Sequence, residues 1–168
     1  MRTYKLILWI FILYIIQNVF YPVLSLSGYV PELLMCFAVS YSSLERRFRR
    51  ISPVIIICAI LSGTGTGRVF SIAVLFVGLA GVAVYLAMPY MQFIPKTIRV
   101  GAMTAFFAFL MYCAEFFAVS GTLTYGFITN FAVWNTLYTV ICVCVIYLIL
   151  KKIMNTADKT LLIVSERN

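Results

Sequence analysis

Six apolar stretches fill this chain, and its cations fall in every second gap between them. Arg2 and Lys5 precede the first stretch. Arg46, Arg47, Arg49 and Arg50 follow the second, Lys96 and Arg99 the fourth, and Lys151, Lys152, Lys159 and Arg167 the sixth. The gaps after the first and fifth stretches, Tyr21 to Tyr29 and Ser120 to Gly126, carry no charge. Arg68, after the third, is the one cation out of step. Alternation of this kind orients a polytopic membrane protein, because Lys and Arg stay on the cytoplasmic side. Hydrophobic residues are 64% of 168, more than a soluble domain of this size can keep from water.

A spanning helix needs roughly 20 mostly apolar residues. The expected spans are 6–24, 28–44, 51–67, 69–89, 98–119 and 127–150. The second is short unless it begins near Leu26. The third reaches spanning length only if Ser62 to Gly67 continue it. Helices are expected because lipid offers backbone groups no partner. A β-barrel would need alternating segments of about 10 residues, and the chain has none. The fold class is therefore all-α: a single six-helix membrane domain over 1–168, with both termini cytoplasmic. A cleaved signal peptide is not expected, since no small-residue cleavage site follows the first stretch. Tyr4, Trp9, Tyr21, Tyr29, Tyr90, Tyr125 and Trp134 fall at or near expected interfaces, where amphipathic rings settle.

The formal net charge of +8 points to anionic lipids of the cytoplasmic leaflet and not to nucleic acid. The run Arg46, Arg47, Arg49, Arg50 reads as a cytoplasmic basic anchor, with docking of an acidic partner as the alternative. The chain has no histidine. That removes imidazole metal sites, Ser-His and Cys-His catalysis and histidine proton relays. The five cysteines all lie in expected helices and read as packing residues. No catalytic, cofactor-binding or metal-binding residues are assigned, and no enzyme activity is expected.

Three ionisable residues remain near the apolar zone: Glu32, Arg68 and Glu115. Charges there are costly and face a bundle interior or a polar cavity. The topology puts all three toward the external side, as a candidate polar cluster in which Arg68 pairs with Glu32 or Glu115. Pro31 suits the first position of the second helix, and Glu32 beside it suits the helix dipole, so Glu32 also has a purely structural reading. The segment from Ser62 to Arg68 contains Gly63, Gly65 and Gly67 but does not match the phosphate-loop pattern. It reads as a helix end broken for close packing or for a polar cavity. Gly78 with Gly81, and Ala114 with Ala118, read as helix-packing spacings.

Val30-Pro31-Glu32-Leu33-Leu34, after a first helix carrying Gln17 and Asn18, resembles the P-[DE]-L-L signature of the rod shape-determining protein MreD family. The block from Gly63 to Phe70, followed by a helix with Gly78 and Gly81, is similar to that family's next block; Thr64 or Thr66 stands where the family often has an acid. Length, six helices and cytoplasmic termini extend the resemblance over nearly the whole chain. It implies a non-enzymatic scaffold in the bacterial plasma membrane, part of the cell-elongation machinery. Its implied partner is MreC and, through it, MreB and the peptidoglycan synthases. It also implies a bundle similar in fold to the substrate-binding subunits of energy-coupling vitamin transporters. Such a transport subunit is the alternative function. It would draw its binding groups from Glu32, Arg68, Glu115, Gln17, Asn18, Asn130 and Asn135.

Overall fold

The structure is a computed structural model that describes residues 3–19, 31–64, 69–91 and 93–165. All regular structure among them is helical: α1 (Thr3–Val19), α2 (Leu33–Leu44), α3 (Phe48–Gly63), α4 (Phe70–Ala87), α5 (Lys96–Ser120) and α6. The last begins at Tyr125–Phe127, passes through a π turn at Ile128–Ala132 and continues as Val133–Ser165. Three helices are long and apolar enough to cross a membrane: α4, α5 and the Tyr125–Met154 part of α6.

Helix α2 organises the rest. Eleven of its twelve residues are buried, and it packs against all five other helices. Twelve residues rise only about 18 Å, well short of a hydrocarbon core of about 30 Å. A helix enclosed by protein on every side has no lipid to satisfy, so it tolerates that length. Around α2 the neighbours run α1 to α3 to α4 to α5 to α6, each touching the next.

On α4 size, and not polarity, decides which face turns inward. The buried positions are Ala73, Val77, Ala80, Gly81 and Val84, while Leu75, Leu79 and Leu86 lie exposed. Both sets are apolar. Small residues let backbones approach, and lipid takes the large ones. Gly81 shows the approach directly: a Cβ there would stand 2.7 Å from Ile55 Cγ1 on α3. Gly78 has nothing within 4 Å of that position, so of the two expected packing glycines only Gly81 packs. Ala114 is half-buried and Ala118 exposed, so that spacing is not a core contact.

Several expected boundaries move. Helix α3 starts at Phe48 instead of 51 and runs through Pro53, which lies past the first turn and leaves one intrahelical hydrogen bond unmade. It stops at Gly63, short of 67, and Thr64 caps it with its N–H on the Ile60 carbonyl. Helix α5 begins at Lys96, directly after Pro95, instead of at 98. It closes at Gly121, whose φ of 72° is a left-handed cap. Helix α6 runs to Ser165 and not 150, because nothing in Lys151 to Thr160 breaks a helix. The segment 20–30 lies outside the described residues, and with it the expected end of the first span.

Helices α5 and α6 are antiparallel: Phe116 stacks on Phe127, Tyr112 meets Phe131, and Gly101 lies beside Val140. Lys151 and Lys152 therefore reach the Lys96 end of the bundle, which the C-terminus of α2 and Arg46 also share. Trp134 is exposed two to three turns inside α6, while Tyr90 and Tyr125 sit exposed at helix ends.

Candidate functional site

At the other end of the bundle lies a buried polar network centred on Glu32 and Thr139. It begins just after Pro31, which is itself buried. Glu32 is the N-cap of α2, and Leu33 the first helical residue. Pro31 thus lies one position before the cap, and not at the first helical position that the sequence suggested. Nor does the Glu32 side chain cap its own helix. It turns sideways, at 0% exposure. There its Oε1 accepts a 2.9 Å hydrogen bond from Gln17 Nε2 on α1 and a 2.8 Å bond from Ser62 Oγ on α3.

Gln17 completes a clasp around the start of α2. Its Oε1 accepts from the Leu34 N–H at 3.2 Å. That N–H is one of the first-turn donors a helix cannot satisfy by itself. One amide therefore fixes both the carboxyl and the backbone of α2.

Thr139 does the corresponding work on the far side. Its Oγ1 donates to the Asn135 carbonyl at 2.8 Å and accepts from the Glu32 N–H at 3.3 Å. Its one proton is thereby committed, so the 3.2 Å contact with the Tyr112 hydroxyl makes tyrosine the donor. The Thr139 carbonyl accepts from Cys36 Sγ at 3.3 Å. Together Glu32 and Thr139 tie α1, α2, α3, α5 and α6. Buried polar groups in lipid must be satisfied in this way, because no water is at hand.

Of the expected external cluster, Glu32 is at the centre. Glu115 is half-buried on α5, one turn beyond Tyr112. Phe116 stacks on Phe127 at 3.7 Å next to it. Arg68 lies outside the described residues, as do Gly65 and Gly67. Gly63 is a close-approach glycine: a Cβ there would lie 2.6 Å from Phe70 Cδ2, where α3 hands over to α4. Of the other polar residues weighed, Gln17 joins the network. Asn135 is buried and reaches Phe131 O within its own helix. Asn18 bonds back to Tyr14 O, and Asn130 is exposed.

The basic anchor Arg46, Arg47, Arg49 and Arg50 is exposed. Glu45 orders it. Its Oε1 accepts from the N–H groups of Arg46 and Arg47 at 3.0 and 3.2 Å, and its Oε2 lies 3.5 Å from Arg50 Nη1.

Tyr112 and Thr139 were not singled out from sequence, and Ser62 was marked only as the start of the glycine-rich segment. For Thr139 a signal exists. The buried positions of α6 are Ala132, Asn135, Thr136, Thr139, Val143, Tyr147 and Leu150, a stripe of helical period. Its first half carries three polar residues, Asn135, Thr136 and Thr139. Ser62 and Tyr112 carry no such mark, since lone hydroxyls are common in spanning helices.

Among the described residues the polar groups of the network meet one another. The groups that meet are a carboxyl, an amide, three hydroxyls and a thiol, each engaged with another member. Among the described residues no group of three His, Cys, Asp or Glu is placed to hold a metal ion. The chain matches no family model, no curated protein and no solved structure.

Proposed function

We propose that this protein is a non-enzymatic scaffold of the bacterial cell-elongation machinery, spanning the plasma membrane six times with both termini in the cytoplasm. It binds MreC laterally and links MreB, through it, to peptidoglycan synthesis. The observation that carries the reading is the fate of Glu32, the acid of the Pro-Glu-Leu-Leu segment. Its carboxyl is sealed from solvent and held by Gln17 and Ser62. A carboxyl so used locks helices together. A substrate site needs polar groups converging on open space, and among the described residues they converge on each other. What the molecule offers outward is apolar helix surface. Helix α1 is the most peripheral: it packs on α2 and α3 and exposes Ile7, Leu8, Phe11 and Ile15. Such a face suits lateral contact with a single spanning helix. The topology draws support from the gathering of Arg46, Lys96, Arg99, Lys151 and Lys152 at one end.

Depletion tests the proposal. Loss of the protein should turn a rod-shaped cell round or wide, and purification in mild detergent should bring MreC at equal stoichiometry. A requirement for one nutrient on depletion, with co-purification of an ATPase module, would replace the scaffold by a transport subunit.

A further inference from the structure

At the basic end, the C-termini of α2 and α4 and the first turn of α5 enclose a cleft of about 790 Å³. Arg46, Lys96 and Arg99 line it, against one acid, Glu45. Glu45 is already engaged by Arg50 and by two backbone N–H groups. The cleft is therefore positive, and low-dielectric walls strengthen its field.

Arg99 is the decisive member. It is only 6% exposed, and one Nη donates to the Met88 carbonyl at 2.8 Å. Its Nε has no hydrogen-bond partner among the described residues. Ser42, 2% exposed and also lining the cleft, has a hydroxyl in the same state. A buried guanidinium with a spare donor is costly until an anion accepts from it. The planar fork of arginine suits a phosphate in particular.

The rim indicates where that phosphate comes from. The α4–α5 connection exposes Phe93 completely and Tyr90 by 85%, and Leu86 and Ile98 flank it at 58% and 60%. Apolar side chains standing open beside buried cations match the boundary between head groups and acyl chains. We propose that this cleft binds the phosphate of an anionic glycerophospholipid, with Arg99 and Ser42 as inner donors and Arg46 and Lys96 as outer charges. The acyl chains lie over the Leu86 and Ile98 surface. The site is separate from the Glu32 network and independent of the scaffold reading.

Native mass spectrometry of the detergent-solubilised protein, titrated with phosphatidylglycerol or phosphatidylcholine, tests it. Phosphatidylglycerol should bind as one tight adduct and phosphatidylcholine weakly. The rim variant Arg46→Gln/Lys96→Gln should lower phosphatidylglycerol affinity about 30-fold, from ~1 kcal/mol for each cation. Arg49→Gln/Lys151→Gln, equal in charge change but outside the cleft, should stay within about twofold, since its cations do not face the ligand. Arg99→Gln should abolish the tight adduct, and the rim pair carries the test if that variant does not fold. Equal losses in the two double variants, or equal binding of the two lipids, would overturn the site. Displacement of the lipid by inorganic phosphate at equal concentration would overturn the lipid as its ligand.

Discussion

Replacing Gln17 with leucine removes two contacts between helices at once. The Glu32 carboxyl loses its 2.9 Å donor, and the Leu34 N–H loses its acceptor at 3.2 Å. In water-soluble proteins, stranding two buried groups costs about 2–6 kcal/mol. In a bilayer the figure is smaller, because helices separated in lipid also find partners. Measured values there average about 0.6 kcal/mol per bond and reach about 1.7. Two bonds then give a loss of about 1–3 kcal/mol, little offset by the new side chain, since lipid is as apolar as leucine. Asn18→Leu is the matched control. Asn18 is half-buried and among the described residues bonds to Tyr14 O of its own helix, so its loss should stay below about 0.5 kcal/mol. Titration with dodecyl sulfate in mixed micelles, followed by circular dichroism, reads both. A Gln17→Leu loss no larger than that of Asn18→Leu would refute the clasp.

Gly81→Ala places a methyl group 2.7 Å from Ile55 Cγ1. It should cost about 1–3 kcal/mol by overpacking, whereas Gly78→Ala, with open space around it, should be neutral or slightly stabilising; the same titration compares them. In a cysteine-free background, single cysteines at Phe93 and Thr122, both exposed, should differ toward a membrane-impermeant thiol reagent in intact cells. Thr122 should be labelled and Phe93 protected, and labelling of Phe93 from outside would reverse the topology.

Helix number and approximate position were legible because each helix is an unbroken apolar run between charges or glycines. Which face turns inward was not. On α4 an inward Val77 and an outward Leu79 carry the same hydrophobic signal, and the difference is one of fit against Ile55 and its neighbours. The short α2 was visible as an anomaly of length, and its central place supplies the reason. Glu32 could be marked as unusual from sequence. Its partners Gln17 and Ser62 lie 15 and 30 residues away, and the Thr139 hydroxyl that meets its N–H lies 107 away. No spacing rule reaches across such distances. The spare donor of Arg99 was equally hidden, since it depends on how α2, α4 and α5 meet, and the sequence marks Arg99 only as one of the orienting cations.

The enclosure of α2 sets an order for biogenesis. A 12-residue helix cannot hold itself across the bilayer while the ribosome is still making its neighbours, so it enters on the strength of what surrounds it. The last wall to arrive is α6, which accepts the Glu32 N–H and takes the Cys36 thiol on its Thr139 carbonyl. Until residue 139 has left the translocon, the middle of this protein has one side missing. A chain ending before α6 lacks the Thr139 hydroxyl and carbonyl that meet the Glu32 N–H and the Cys36 thiol, so the bundle closes only with the final quarter of the sequence.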